Sequence, residues 1–156
     1  MKNINNYSSA YYDALSKEYK NVCNSREKYL ESINSIIRKY INLNEPKELL
    51  DIGTADGSRL RSILSKIDIS INSDCLEPSE KMFFLCKKNE LKYNSFKYFN
   101  TTVEEFITAK QYDLILALWN ILGHAEDPKR FLTKIANLMG KGSYFILDVN
   151  NSMNIK

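Results

Sequence analysis

The residues best suited to chemistry gather around one short stretch, Leu49-Leu50-Asp51-Ile52-Gly53-Thr54-Ala55-Asp56-Gly57-Ser58. Its small residues leave room for a ligand to approach the backbone, and glycine permits dihedrals that other residues resist. The spacing is Gly-x-Ala-x-Gly and lacks the full dinucleotide fingerprint, which disfavours a diphosphate cradle and a nicotinamide-dependent oxidoreductase. Asp51, just before the turn, would repel a diphosphate but could accept hydrogen bonds from a cationic amine. Glu77 follows Asp51 by 26 positions and ends a second predicted strand. There an open α/β sheet presents a carboxylate to ribose hydroxyls. Asp51 and Glu77 therefore read as ligand anchors and not as an acid and base pair. His124 is the only histidine. It is a candidate general base or substrate orienter. Trp119, Asn120 and Leu122 beside it are candidates for packing on a cofactor or substrate. The plainer alternatives are a tight strand-to-helix turn, a capping Glu77 and a packed His124.

The elements that must position these residues follow from periodicity. Residues 7 to 20 predict a short helix, with Tyr11, Leu15 and Tyr19 near helical spacing. Residues 26 to 41 predict a clearer one, which Asn44-Glu45-Pro46 ends. Then the period changes. Glu48 to Ile52 reads as a strand, Ser58 to Ile67 as a helix, and Ile71 to Leu76 as a second strand. Ser79 is a plausible N-cap for the next helix, and Phe96 to Phe99 a weaker strand. Thr102 caps a predicted helix from Val103 to Thr108, with Glu105 completing the box. Tyr112 to Leu118 is a strongly apolar central strand, Asp127 to Leu138 a helix, and Gly140-Lys141-Gly142 a turn into a strand from Ser143 to Val149. This alternation predicts an α/β fold, a three-layer doubly wound, mostly parallel sheet of about five strands with an N-terminal helical cap. The expected division is a cap over residues 1–47 and a sheet domain over residues 48–156.

Composition narrows the function classes. The chain has 156 residues, one domain's worth. Its net charge of +3 is small and lies within residues 1–47. With five arginines and no basic stripe, nucleic acid is not an expected partner. Cys23, Cys75 and Cys86 lack metal-ligand spacing and read as free thiols in a reducing compartment, so the expected location is cytoplasmic and no metal is expected. The polar start and the absence of a long apolar run predict no signal peptide and no membrane span.

The ordered motifs resemble those of class I S-adenosylmethionine-dependent methyltransferases, over nearly the whole chain. LLDIGTADGS resembles the nucleotide-turn motif, with Ala55 where glycine is commonest. LEPSEKM resembles the second motif. The resemblance implies that Glu77 binds ribose hydroxyls beside Pro78, and that Met82 packs near the adenine. Thr102-Val103-Glu104 stands at the third-strand position, where backbone groups at Thr102 and Val103 would serve the adenine amine. YDLILALWNILGHAED resembles the fourth motif, bringing Ala117, Leu118 and Trp119 to the cofactor, and LTKIANLMGKGSYFILDV resembles the helix, turn and fifth strand. The methionine end would lie near Gly53, Thr54, Ala55 and Gly57, its carboxylate favoured by backbone N–H groups and a helix N-terminus. Tyr19 and Arg26 would touch it from the cap. Tyr11, Tyr12, Asn120 and His124 would border the substrate.

The resemblance implies methyl transfer from S-adenosylmethionine to an O, N or C nucleophile of a small molecule, leaving S-adenosylhomocysteine. The alternative is a cofactor-binding regulatory or partner-dependent module without independent catalysis. Such proteins usually continue past the fifth strand into a further helix and a strand hairpin, for which Asn150 to Lys156 is too short. The fifth strand is then expected to be a hydrophobic edge, so that a second copy or a partner chain covers it, the hairpin comes from elsewhere, or the chain is a fragment of a longer protein.

Overall fold

The computed structural model describes residues 4–87 and 95–149. The tail from Asn150 to Lys156 lies outside the described residues. Three helices come first: α1 (Ile4–Leu15), α2 (Tyr19–Ser25) and α3 (Glu27–Asn44). The single helix expected over residues 7–20 is broken after Leu15. Ser16 donates its hydroxyl to the Asp13 carbonyl (2.8 Å), and the Glu18 N–H turns back to Leu15 O (2.9 Å). That local bonding replaces the helical ladder. α3 ends where Glu45 adopts a left-handed φ of 43° and gives its N–H to Ile41 O.

A five-stranded sheet follows, in the order β3-β2-β1-β4-β5 with all four pairings parallel. The strands are β1 (Glu48–Ile52), β2 (Asn72–Leu76), β3 (Ser95–Phe99), β4 (Tyr112–Ala117) and β5 (Met139–Leu147). The connecting helices are α4 (Ser58–Leu64), α5 (Glu80–Cys86) and α6 (Pro128–Leu138). Ser79 accepts the Met82 N–H at the start of α5, and Asp127 accepts the Lys129 and Arg130 N–H groups at the start of α6.

Two expectations change. Val103 to Thr108 is no helix: one turn forms, with the Phe106 N–H on Thr102 O (3.1 Å). So short a segment bonds only one turn before the chain leaves for β4. The fifth strand starts earlier than Ser143: Met139 pairs with Tyr112 and Tyr144 with Leu114, and the residues between Met139 and Tyr144 are accommodated in a bulge. Among the described residues β5 pairs on one side only.

Burial makes three layers. On one face Ile37 and Ile41 of α3 and Leu60, Ile63 and Leu64 of α4 pack on Leu49, Leu114 and Leu116. On the other, Phe131, Ile135 and Leu138 of α6 pack on Leu50, Ile52 and Ile115. Far from the turn, buried Asp74 accepts from the Tyr112 hydroxyl (2.6 Å) and the Lys110 ammonium (3.0 Å). Tyr112→Phe leaves that carboxylate short of a donor. It should cost about 1–3 kcal/mol in urea denaturation; an unchanged midpoint would show that Lys110 alone suffices. No helix among the described residues is long and apolar enough to cross a membrane.

Candidate active site

β1 lies where the strand order reverses, between β2 and β4. Open parallel sheets leave a crevice beyond the strand C-termini at such a point. The chain leaves β1 through Gly53, Ala55 and Gly57, all with left-handed φ (70°, 52° and 72°). A Cβ on Gly53 would lie 2.3 Å from Ile121 Cδ1, so a side chain there would collide with the far wall of the crevice. The turn is bonded inward. Gly53 and Thr54 donate their N–H groups to Leu76 O (2.8 and 3.0 Å), and Ala55 donates to Glu77 Oε2 (2.8 Å). Gly57 donates to Thr54 O (2.9 Å) and Ser58 to Asp56 Oδ1 (3.0 Å). These N–H groups therefore have protein acceptors already. α4 is only seven residues long. The expected cradle of backbone N–H groups and a helix end for a carboxylate is thus largely used up within the protein.

Glu77, buried at the end of β2, holds two loops together. Oε2 takes the Ala55 N–H and Oε1 takes the Ser79 N–H, each at 2.8 Å. Burial pushes its carboxyl up to about 7, with the negative charges of Asp51 and Asp13 adding to the rise and the two N–H groups opposing it. The cavity beside it has about 810 Å³ of empty space, with open solvent at its mouth included. Gly53, Pro78, Thr102, Val103, Leu118 and Trp119 contribute to its walls.

The cap closes over this cavity. Ser9 donates to Pro78 O (3.2 Å), and Asp13 accepts from the Ser79 hydroxyl (2.5 Å) and the Lys81 N–H (3.1 Å). The Ser8 hydroxyl lies 3.3 Å from His124 Nδ1, and the Tyr12 hydroxyl 3.5 Å from Nε2. Tyr19 packs on Trp119 with ring centroids 5.9 Å apart, and the Arg26 guanidinium lies 5.7 Å from the same indole. Trp119 and Asn120 both have left-handed φ (70° and 62°). Such backbone is costly for a bulky residue and concentrates at functional sites. The Asp148 carboxylate, at the end of β5, holds the strained segment by accepting the Asn120 N–H (2.7 Å).

A smaller cleft adjoins the cavity and shares Tyr19, Gly53, Leu118 and Trp119 with it. Asp51, Thr54 and Arg59 line it. Burial pushes Asp51 up to about 6, against the opposing pull of the Thr54 hydroxyl and the Arg59 charge. Asp51 and Glu77 both hold protons in the folded chain that their unfolded forms, near 3.8 and 4.5, release. Stability from these two groups is full at low pH and falls as pH rises through about 6 and 7. The ligand-free protein should therefore melt lower at pH 8 than at pH 5, with a smaller drop in Glu77→Gln. A wild-type melting temperature that rises across this window would contradict the assignment.

A family model described as a methyltransferase domain matches residues 25–154. The chain belongs to the methyltransferase-domain family. No curated protein matches it. Among solved structures, the plantazolicin methyltransferase BpumL, in complex with a pentazolic desmethylPZN analogue and SAH, is 24% identical with a TM-score of 0.66. The alignment covers 85% of this chain and 50% of BpumL. The sugar N-methyltransferase KedS8 from Streptoalloteichus sp. ATCC 53650 is 16% identical with a TM-score of 0.67, covering 86% of this chain and 54% of the other. DhpI in complex with SAH is 16% identical with a TM-score of 0.64, covering 91% and 67%. These likenesses establish the fold. The chain spans about half the length of the first of these structures.

The methyltransferase domain brings many of the residues singled out in the sequence to one place. Tyr12, Tyr19, Gly53, Ala55, Glu77, Pro78, and likewise Thr102, Val103, Leu118, Trp119 and His124, border the cavity. Asp51 and Thr54 border the small cleft instead. Others lie off both surfaces. Met82 is fully buried in a cluster with Tyr19 and Ala55, so it supports the wall without forming it. Ala117 is fully buried in the core under α6. Gly57 packs toward Arg61 and Cys86, and Arg26 reaches Trp119 and not the cavity. Tyr11 is largely exposed, edge-on to Tyr12. Asn120 and Leu122 lie outside the cavity lining. Sequence reading missed Ser8, Ser9, Thr101 and Phe131 on the cavity and Arg59 on the cleft, and it placed Glu104 in the third-strand motif without giving it a role. Phe131 was visible only as an apolar helix position, and the others carry no spacing signal.

Proposed function

We propose that this methyltransferase domain transfers a methyl group from S-adenosylmethionine to an O, N or C nucleophile of a small molecule. The observation that carries the reading is the Glu77 carboxylate, buried beside the cavity and tied to the Gly53–Gly57 turn. The residues fit the cofactor. Each Glu77 oxygen spends one acceptor site on a backbone N–H. A carboxylate has further lone pairs, which suit ribose hydroxyls. Val103, Pro78 and Leu118 offer apolar surface to a base. The absence of a Cβ at Gly53 leaves the crevice open. Asp51 in the adjoining cleft suits an ammonium group.

S-adenosylmethionine supplies an activated methyl group, so the protein's share is alignment and exclusion of water. Tyr12, Tyr19 and Trp119 line the cavity, where their rings would shield the reacting atoms from water. His124 takes the acceptor's proton on whichever ring nitrogen lacks one, once α1 yields its contacts. A small acceptor is supported by the limited cavity and by the acceptor classes in the names of the plantazolicin and sugar N-methyltransferases. We place the protein in the cytoplasm, a reading supported by its three free thiols.

A second reading is a binding module that does not transfer methyl groups alone. It is favoured by one feature: both His124 nitrogens face hydroxyls of α1. Incubation with methyl-labelled S-adenosylmethionine and a metabolite extract tests the choice. Label in a small-molecule product is the expected outcome. Label confined to macromolecules would overturn the small-acceptor reading, and cofactor binding with no transfer would favour the second one.

A further inference from the structure

Beyond β4 the chain passes through two consecutive left-handed residues, Trp119 (φ 70°) and Asn120 (φ 62°). Asparagine tolerates that backbone, but a bulky residue such as tryptophan adopts it only at a cost. The kink has a result. Leu118 and Trp119 before it, and Ile121 and His124 in the short 3-10 turn after it, all reach the same cavity. Trp119 also borders the small cleft, so its indole stands where the two spaces meet. Right-handed or extended backbone at these two positions would send the following turn, and His124 with it, in another direction.

The register of the sheet supplies the group that opposes relaxation. Ala117 pairs with Leu147, and the Asp148 N–H reaches Ala117 O (3.3 Å). Asp148 is thereby placed beside the first residues past β4. Its Oδ1 accepts the Asn120 N–H (2.7 Å). Its Oδ2 lies 3.4 Å from Arg59 Nη1, and Arg59 Nε donates in turn to Asn34 Oδ1 (3.1 Å). The carboxylate is aimed from one side by residues of α3 and α4 and grips the kink on the other. A hydrogen bond to an ionised acceptor is of the same order as the cost of one left-handed residue. We propose, resting on the methyl-transfer reading above, that Asp148 is a positioning residue for the reaction: it locks the Trp119–Asn120 kink and so keeps Trp119 and His124 on the walls of one cavity. Asp148 itself lines neither the cavity nor the cleft and moves no proton.

Trp119 is the only tryptophan, so the intrinsic fluorescence of the full chain reports this one side chain. Asp148→Ala should shift its emission to the red and let acrylamide quench it more steeply than in the wild type. Asp148→Asn keeps an oxygen that can accept the Asn120 N–H, and should match the wild type. With methyl-labelled S-adenosylmethionine and a metabolite extract, the initial rate of Asp148→Ala should fall by about tenfold or more, the scale of one hydrogen bond to a charged group. Its calorimetric affinity for S-adenosylhomocysteine should change by about threefold at most, less than the loss of one such bond. A general loosening of the fold would lower both. Three outcomes would overturn the assignment: Asp148→Ala with wild-type emission and quenching, equal loss of rate and affinity, or Asp148→Asn as impaired as Asp148→Ala, which would move the effect to the charge facing Arg59. If Asp148→Ala does not fold, Asp148→Asn and hydrogen exchange at Asn120 of the wild type decide. A protected Asn120 N–H supports the lock, and exchange at the rate of an open chain would overturn it. A wild type that transfers no label would instead remove the methyl-transfer reading, while the fluorescence comparison still decides whether Asp148 holds Trp119.

Discussion

Glu77→Gln is expected to weaken S-adenosylhomocysteine binding by about a hundredfold or more. The two side chains have nearly the same shape, so the change is chemical. Glu77 receives two backbone N–H groups, one on each oxygen. Glutamine has only one acceptor oxygen, so its NH₂ group must face either the Ala55 or the Ser79 N–H. The turn after β1 and the loop after β2 then lose part of their tie. The ribose hydroxyls lose an anionic acceptor as well, and hydrogen bonds to charged groups contribute about 1.5–3 kcal/mol each. Two such bonds suffice for the stated loss. Calorimetry beside a melting curve separates binding from unfolding. A folded Glu77→Gln protein with wild-type affinity would remove Glu77 from the ribose site.

The second large effect concerns turnover and not affinity. His124→Ala should reduce methyl transfer by about 10²–10⁴-fold, the usual range for a lost general base. S-adenosylhomocysteine affinity should change by about threefold at most, because the cofactor contacts argued above come from Glu77, Pro78, Val103, Leu118 and Asp51. The imidazole is held between Ser8 and Tyr12 of α1. Its removal also loosens the cap, which the separate readouts expose: a loosened cap raises KM, whereas a lost proton acceptor lowers kcat. Unchanged kcat in His124→Ala would leave His124 only as a cap contact.

Much of this arrangement was legible in the sequence, for local reasons. The switch from helical to strand period at Glu48, the small residues at Gly53 to Gly57, and the caps Ser79 and Asp127 are each short-range signals, and each element formed where expected. Glu77 was legible because a β-α-β unit fixes how far along the chain the second strand ends. What failed was decided by competition or by distance. The break at Ser16 depends on a side chain outbidding the ladder, and the single turn after Thr102 on the short path to β4. The Ser8 and Tyr12 contacts to His124 join residues more than a hundred positions apart, and no periodicity records them. Arg59 reads as a polar position at the start of a helix. Its place on the cleft depends on Asn34, Asp51 and Asp148, three residues brought to it by different elements.

The central claim is that the cavity beside Glu77 receives S-adenosylmethionine. The most direct measurement is a calorimetric titration of the full wild-type chain with S-adenosylhomocysteine at pH 8, where Glu77 is mostly ionised. Saturable one-to-one binding, lost in Glu77→Gln, is the predicted result. No detectable binding at about 1 mM ligand, weaker than roughly −4 kcal/mol, would contradict it.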